Sequence, residues 1–153
     1  MKVEGEVRSA GQPQARSMAK TLRLEIVTPD AVVYSADVDM VTLPAIEGQI
    51  GVLPEHIRLM TQMVAGEMIV HRNGRDEFLA VGEGLIEITG DSVSVLTDMA
   101  IAADKIDEAK VEEARQRAEA RLRDRISDEE VASVNASLAR SLAQLHVKRR
   151  RHH

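Results

Sequence analysis

The chain has 153 residues, of which 44% are hydrophobic and 1% aromatic, so it can hold one ordinary domain with a largely aliphatic core. It contains no cysteine, which excludes disulfides, zinc–thiolate sites and thiol nucleophiles, and the scarcity of aromatic rings disfavours stacking on nucleic-acid bases. The net charge is −5, and the sequence shows neither a membrane-spanning apolar run nor a signal segment, so we expect a soluble, cytoplasmic protein.

Charge is distributed unevenly along the chain. Residues 1–103 carry 8 basic and 15 acidic side chains (−7), whereas residues 104–153 carry 12 basic and 10 acidic ones (+2). Such a shift indicates a change of architecture, and we place a domain boundary at Ala103. Residues 1–21 lack a hydrophobic period and are rich in small and polar residues, which predicts a disordered N-terminal extension. Spaced basic residues leave a transit peptide as the alternative for this segment.

Residues 22–103 carry the pattern of short β-strands. Leu22, Leu24 and Ile26 alternate with their neighbours and fall on one face of the first strand. Gly82 and Gly84 indicate a bulge or a close backbone approach. Turn-forming sequences recur at Thr28-Pro29-Asp30-Ala31, Asn73-Gly74 and Gly90-Asp91. Further strands are predicted at Val32–Tyr34, Val38–Leu43, Leu59–Val64, Glu67–Arg72, Glu77–Val81, Leu85–Thr89 and Val93–Leu96. Seven or eight strands at this spacing predict an all-β sandwich or flattened barrel.

Residues 44–59 combine turn formers with apolar anchors. Pro44, Gly48, Gly51 and Pro54 stand between hydrophobic residues in this stretch. Glycine permits backbone angles closed to other residues, and proline fixes φ and removes a donor. We therefore predict a shaped, packed loop, which is either functional or a structural crossover between strands.

From residue 104 the apolar period becomes helical. Asp104 is the predicted N-cap of a first helix, and Ser127-Asp128-Glu129-Glu130 is a capping box for a second. Each helix has a narrow apolar stripe, formed by Ala109, Ala114, Ala118, Leu122 and Ile126 in the first and by Val131, Val134, Leu138, Leu142 and Leu145 in the second. Because little room is left for a loop between them, we predict an antiparallel two-helix hairpin over residues 104–147, followed by a basic tail at 148–153.

The sequence shows no catalytic signature. P-loop, HExxH and GxSxG motifs are absent, and His56, His71 and His146 lack ligand spacing, so we predict no catalytic residue and no metal site. The run Lys148-Arg149-Arg150-Arg151 raises nucleic-acid or membrane phosphate as a partner. On an acidic chain without aromatic residues among the basic ones, an acidic protein surface is the better match, and we expect no nucleic-acid partner.

The order of these parts resembles one known family. The stretch Leu43-Pro44 followed by Glu47-Gly48-Gln49-Ile50-Gly51-Val52-Leu53-Pro54-Glu55-His56 is similar to the conserved loop of the epsilon subunit of F-type ATP synthase. Residues 78–88 and 93–100 resemble the next two conserved stretches of that family, and residues 137–145 resemble its last helix. The resemblance covers residues 22–147.

This resemblance implies a non-catalytic subunit of the central rotor stalk, which couples ion translocation through the c-ring to ATP synthesis in the alpha/beta head. Its implied partners are the gamma subunit, the c-ring and the alpha and beta subunits. Its implied place is peripheral, on the cytoplasmic face of the energy-transducing membrane, without insertion. The implied c-ring and gamma contacts are Glu47, Gly48, Gln49, Gly51, His56 and Arg58. Gln49 and Arg58 depart from the glutamate and proline that are usual in the family.

In the family, the hairpin rests on the sandwich or extends along gamma, where it hinders ATP hydrolysis near an acidic beta-subunit segment. The implied inhibitory basic residues are Arg117, Arg121, Arg123, Arg140, Lys148 and Arg149. Some members bind ATP through an I/L-D-x-x-R-A motif, which Ile106 and Asp107 match. Lys110 replaces the arginine and lacks its bidentate fork, so we expect no cofactor, with a degenerate site for regulatory ATP as the alternative.

Two other classes of function stay open. A non-catalytic β-sandwich adaptor unrelated to the synthase would be a stable monomer with no affinity for gamma. An enzyme with a small site in the glycine-rich loop would need a convergent cluster of polar side chains, which the sequence does not show.

Overall fold

The computed structural model describes residues 20–151, so the extension predicted for 1–21 lies almost entirely outside the described residues. The strands in this range are β1 (Leu22–Val27), β2 (Val32–Val38), β3 (Met40–Ala45), β4 (Gly48–Val52), β5 (His56–Met63), β6 (Gly66–Arg72), β7 (Arg75–Val81), β8 (Gly84–Gly90), β9 (Ser92–Thr97) and β10 (Ala100–Ala102). A short 3₁₀ helix, Ala103–Lys105, leads to two helices, α1 (Glu108–Leu122) and α2 (Asp128–Arg151).

The strands join in one folded sheet. Their order is β10-β7-β6-β3-β5-β8-β9-β1-β2, and β4 pairs with β3 beside this path. β1 and β9 run parallel, whereas β1 and β2, β8 and β9, and β6 and β7 are antiparallel neighbours. β3 and β5 share a single residue pair, Ala45 opposite Met63, so the sheet folds at this point and its two halves face each other. The predicted all-β sandwich followed by two helices is confirmed.

The core lies between the two halves of the sheet. Leu22, Leu24 and Ile26 are fully buried on one face of β1, as their alternation predicts. They share one cluster with buried side chains of the opposite half, such as Val41 and Met68. Full burial of such a side chain stabilises the fold by about 1.5–3 kcal/mol. An aliphatic core therefore holds the sandwich together independently of the helices.

The prediction of a long loop over residues 44–59 is wrong. β3 continues through Pro44, β4 covers Gly48–Val52, and β5 begins at His56, so only two short turns remain. Within the described residues β4 pairs with β3 alone, and an edge strand tolerates the glycines that were taken as turn signals. The second turn places Glu55 at φ +67, in the left-handed region.

Gly84 lies where two strands approach closely, as the sequence predicts. A Cβ at this position would lie 1.9 Å from the carbonyl oxygen of Leu96 and 2.9 Å from Cα of Thr97 on β9. We expect Gly84→Ala to lower the free energy of unfolding by about 1–3 kcal/mol, measured by denaturant titration, because backbone must move to admit the methyl group. Gly51→Ala is the matched control, since its Cβ would meet only the flexible tip of Met40. An equal loss at both positions would contradict this account.

Tyr34, the only tyrosine in the chain, ties β2 to β7. Its hydroxyl donates a hydrogen bond to Glu77 Oε1 over 2.6 Å. Burial of the ring and this bond raise the pKa of Tyr34 to about 12. We expect tyrosinate absorbance to rise with a midpoint near pH 12 in the folded chain and near pH 10 in the unfolded chain.

The same pKa shift gives a sign to the pH dependence of stability. A raised folded-state pKa contributes stability that is present below pH 10 and is lost as the pH rises towards 12. We expect Tyr34→Phe to flatten this alkaline loss in denaturant titrations. A folded-state midpoint of about 10 would contradict the contact with Glu77.

The ends of the helices differ in part from the prediction. Asp104 lies in the 3₁₀ helix, and Asp107 caps α1 instead, since its carboxylate accepts a hydrogen bond from the Lys110 backbone N–H over 3.2 Å. The predicted cap of α2 is present, because Ser127 Oγ accepts from the Glu130 N–H over 3.1 Å. α2 runs on to Arg151, so the basic residues from Lys148 continue the helix beyond its predicted end at residue 147.

The hairpin packs on the outside of the sheet. α2 crosses β6 and β7, and a second apolar cluster forms where it does so. Its buried members are Ala80, Ile106, Val111, Ala143, Leu145 and Val147. The predicted stripe of α2 is therefore only partly right, because Leu142 is 48% exposed while Ala143 and Val147 are buried. The C-terminal half of α2 packs against both the sheet and α1. The face of α2 that these contacts bury does not include Leu142.

Candidate functional site

An exposed apolar row crosses the outer face of one half of the sheet. Val27 of β1 lies opposite Val32 of β2 and Leu96 of β9, and Leu96 lies opposite Leu85 of β8. We call these four residues the outer apolar row. Leu96 is 53% exposed and Leu85 46% exposed, and a groove of about 510 Å³ runs between them and Pro29. Adjacent apolar side chains on an open face indicate a surface for binding another protein.

This row was not predicted from the sequence. The sequence does contain a sign of it, because two predicted strands have adjacent apolar residues, Leu85-Ile86 and Val95-Leu96. In each pair one side chain must point away from the core, since neighbours on a strand face opposite sides. Ile86 and Val95 are fully buried, and their neighbours form the outer surface.

A second apolar surface surrounds the turn between β4 and β5. Leu53 is 56% exposed and Ile57 83% exposed, and the predicted contact residue Arg58 is exposed beside them. His56, another of the predicted contact residues, is half-buried, and its Nδ1 lies 2.6 Å from the carbonyl oxygen of Ile57. We call Leu53, Ile57 and Arg58 the turn surface.

The turn surface has a fixed backbone. The Glu55 N–H donates to Asp91 Oδ1 over 2.9 Å, which ties the β4–β5 turn to the β8–β9 turn. Lys20 forms an ion pair with the Glu55 carboxylate, and this hydrogen-bonded contact raises the pKa of Lys20. The C-terminal end of the turn, at Glu55, is therefore held by contacts from two other parts of the chain.

The predicted contact residues of residues 47–58 do not form one site. Gly48 pairs with Ala45, whose partner on β5 is Met63, at the far end of that strand from His56. Glu47 and Gly48 therefore lie at one end of the sandwich and His56 and Arg58 towards the other. Two more predicted residues lie between these ends on β4, where Gln49 is opposite Pro44 and Gly51 is opposite Thr42.

Three of the six basic residues that were singled out hold the hairpin in its folded position. Arg140 Nη1 donates to Asp98 Oδ2 over 2.9 Å, and Lys148 Nζ donates to the carbonyl oxygen of Ala103 over 3.3 Å. Arg149 lies 2.7 Å from Glu108 and 3.1 Å from Glu112, both on α1. Contact with Glu108 raises the pKa of Arg149.

The other three basic residues lie on or just after α1. Arg121 pairs with Glu130 over 2.6 Å across the helix connection, which lowers the pKa of that carboxyl. Arg117 and Arg123 are exposed, and no ion pair is formed by either within the described residues. Arg117, Arg121 and Arg140 line one groove of about 450 Å³ between the two helices.

The residues of the predicted ATP motif have structural roles here. Ile106 is buried in the second apolar cluster, and Asp107 caps α1, while Lys110 is exposed. None of these three residues lines the groove that Arg117, Arg121 and Arg140 form between the helices. Among residues 20–151, no group of three or more histidine, cysteine or acidic side chains could hold a metal ion. Within the same range, neither helix has the length and apolarity needed to cross a membrane.

One further contact was not expected from the sequence. Arg150, in the last turn of α2, donates to Glu67 Oε1 on β6 over 2.6 Å. The two residues are 83 positions apart. An isolated glutamate at the start of a strand gives no sign of such a partner, so only the folded chain brings the pair together.

Comparison with known proteins agrees with this architecture. Two family models match the chain: the beta-sandwich domain of the ATP synthase delta/epsilon chain over residues 21–103, and the long alpha-helix domain of the same chain over residues 104–149. Two solved structures share the fold. A chain of the Euglena gracilis mitochondrial ATP synthase is 20% identical, covers 82% of this chain and 79% of its own, and has a TM-score of 0.68. A chain of the Tetrahymena thermophila mitochondrial ATP synthase central stalk and c-ring is 10% identical, covers 83% and 96%, and has a TM-score of 0.57.

Curated relatives named ATP synthase epsilon chain match nearly end to end. That of Herpetosiphon aurantiacus is 41% identical over 130 residues, 85% of this chain and 96% of the relative. That of Dehalococcoides mccartyi is 42% identical over 138 residues, 88% and 98% of the two chains. That of Bacillus licheniformis is 35% identical over 130 residues, 85% and 99%. The chain therefore belongs to the delta/epsilon chain family of ATP synthase.

Proposed function

We propose that the chain is the epsilon-type subunit of the central rotor stalk of an F-type ATP synthase, and that it is not itself catalytic. It couples ion translocation through the c-ring to ATP synthesis in the alpha/beta head. The observation that carries this proposal is the outer apolar row, an exposed apolar surface on a sandwich of this family. The subunit is peripheral, on the cytoplasmic face of the energy-transducing membrane.

The two exposed apolar surfaces take two different partners. The outer apolar row lies on a broad sheet face beside a groove, which suits an elongated partner, and we assign it to the gamma subunit. The turn surface is narrow, lies at the end of a strand and carries the cation of Arg58 beside the exposed Ile57. We assign it to the c-ring, because an apolar tip with a charged side chain at its edge is typical of a small protein interface.

The hairpin is a regulatory element that hinders ATP hydrolysis when it leaves the sandwich. Its basic residues Arg140 and Arg149 are held by Asp98, Glu108 and Glu112 of the same chain. These ion pairs are largely exposed to solvent, so each is weak. An acidic segment of a beta subunit offers the same chemistry, so it can replace the internal partners when the hairpin extends. We propose no cofactor, since Asp107 and Ile106 are engaged in the fold.

The adaptor alternative uses the same outer apolar row for an unrelated partner, and binding separates the two proposals. The chain is mixed with cognate F1 that lacks its own epsilon-type subunit and is then centrifuged. We expect one copy to sediment with each F1 particle. A chain that stays in the supernatant contradicts membership of the stalk.

A further inference from the structure

A second row of side chains runs beside the outer apolar row on the same face of the sheet. It consists of Glu87 on β8, Ser94 on β9 and Glu25 on β1, with Glu87 opposite Ser94 and Ser94 opposite Glu25. Each of the three is two residues along its strand from a member of the outer apolar row, and residues two apart on a strand face the same side. The two rows are therefore about 7 Å apart, and the two glutamates lie two strand spacings, about 10 Å, from each other. We call Glu25 and Glu87 the flanking carboxylates.

The flanking carboxylates are exposed, and neither forms an ion pair within residues 20–151. The one hydrogen bond that the structure gives them in this range is from the Ser35 hydroxyl to Glu25 Oε2, over 3.4 Å. Arg23, two residues before Glu25 on the same face of β1, pairs instead with Asp37 over 3.3 Å. The negative charge of the flanking carboxylates is therefore available to a partner.

The groove borders the outer apolar row on the other side, and it also has an acidic lining. Glu83 lines the groove, is exposed and forms no ion pair with any other described residue. The second carboxylate of the groove, Asp98, pairs with Arg140 over 2.9 Å. Among the described residues, no lysine or arginine lines this groove. Unpaired carboxylates thus border the apolar row on both sides.

We infer that the outer apolar row binds a partner surface whose apolar strip is bordered by lysine or arginine side chains, and that Glu25 and Glu87 steer and orient this partner. The inference rests on the proposed function, in which the partner is the gamma subunit. Protein interfaces have an apolar centre and a polar rim, and complementary charges at the rim speed encounter and fix the register more than they add affinity. An acidic partner would meet like charges along the whole row.

The spacing of the flanking carboxylates narrows the chemistry of the partner further. Two cations about 10 Å apart match them, which is the distance between residues seven positions apart on one face of an α-helix with a rise of about 1.5 Å per residue. A helix laid along the outer apolar row, across the strands, would place apolar side chains on the row and two basic ones over Glu25 and Glu87.

The test measures binding rates of the full chain to cognate F1 that lacks its own epsilon-type subunit. With F1 immobilised, surface plasmon resonance gives the association and dissociation rates separately. Rates are recorded at ionic strengths of about 0.01 M and about 1 M, where the Debye lengths are about 30 Å and about 3 Å. Denaturant titration verifies that every variant is folded.

Two double variants with the same change in net charge are compared. Glu25→Gln with Glu87→Gln neutralises the flanking carboxylates. Glu113→Gln with Glu129→Gln is the matched control, because both residues are exposed on the helices, which pack against β6 and β7 in the other half of the sheet. A third variant, Glu25→Lys with Glu87→Lys, reverses the charge at the same positions.

At low ionic strength we expect the neutralised variant to associate about three- to tenfold more slowly than the original chain, while its dissociation rate changes less than about twofold. The charge-reversed variant should associate more slowly still, because it opposes the basic border of the partner. At high ionic strength these differences in association rate should disappear, since the charges are screened. The control should match the original chain within about twofold under both conditions.

Four outcomes would overturn the inference. Association of the neutralised variant at the original rate at low ionic strength would show that the flanking carboxylates do not steer the partner. Equal slowing of the control would assign the effect to the net charge of the chain. Faster association of the charge-reversed variant would mean that the partner has an acidic border. All three leave the proposed function in place, whereas absence of binding by the original chain overturns the proposed function and, because the partner is the same, this inference with it.

Discussion

Leu96→Asp is expected to weaken binding to the gamma subunit by about 30-fold or more. The substitution puts a carboxylate in the centre of the outer apolar row, between Val27 and Leu85. In an interface the carboxylate would be desolvated without a partner, and truncation or disruption of a central apolar anchor costs at least about 2 kcal/mol. Isothermal titration against gamma, or against F1 that lacks its epsilon-type subunit, measures the change.

The fold should survive this substitution, because Leu96 is 53% exposed and surface changes of this kind shift stability by about 1 kcal/mol at most. Val33→Asp is the matched control. Val33 is 45% exposed on β2, has no partner in the pairing of β2 with β1, and lines a separate groove with Leu79 and Ile101. If both variants bind equally well, the outer apolar row is not the gamma surface.

Ile57→Asp is expected to separate binding from coupling. Ile57 is 83% exposed, at the tip of the turn surface and away from the outer apolar row. If the turn surface contacts the c-ring, we expect the variant to bind F1 normally. ATP-driven ion pumping by the reconstituted synthase should fall about tenfold, because the substitution replaces a central apolar contact with a desolvated carboxylate. Quenching of a pH-sensitive dye in vesicles measures pumping, and released phosphate measures ATP hydrolysis in the same sample.

Both quantities are needed to interpret this variant. We expect hydrolysis to continue while pumping falls, and Val33→Asp to change neither. Normal pumping by Ile57→Asp would remove the turn surface from the coupling path. Equal loss of F1 binding and pumping would instead place Ile57 in the gamma interface.

The local patterns of the sequence were enough for the sandwich core and its tight turns. The alternation of Leu22, Leu24 and Ile26 predicts their full burial, and Asn73-Gly74 adopts the predicted turn with φ of +55 and +75. These features depend on neighbours along the chain, because strand period and turn geometry are local properties. The close approach at Gly84 belongs to the same class.

The errors arise where distant elements decide the outcome. Glycines and prolines of residues 44–59 indicate turns by themselves, but pairing with β3 makes a strand of Gly48–Val52. Leu142 fits the apolar period of α2, yet contact with β6 and β7 buries Ala143 and Val147 in its place. The apolar period of the sequence predicts that a helix forms, but the position of the sheet decides which face of that helix is buried.

The candidate functional site was likewise predictable from the sequence only in part. The resemblance identified the residues between Glu47 and Arg58, but the strand β4 separates Glu47 from His56, so they form no common patch. Basic residues such as Arg140 were recognisable by type, whereas their acidic partners, including Asp98, come from elements far away in the sequence. The buried charge of Glu67 could not be foreseen, because burial is a property of the folded chain.

We propose that the sandwich binds the rotor and that the hairpin regulates it. The most direct measurement is the ATP hydrolysis rate of cognate F1 depleted of its epsilon-type subunit, titrated with the full chain and with a version ending at Ala103. The sandwich core contains no residue of either helix, so the shorter version keeps its own core. We expect both versions to bind and only the full chain to slow hydrolysis. Binding by neither version, or equal inhibition by both, would contradict it.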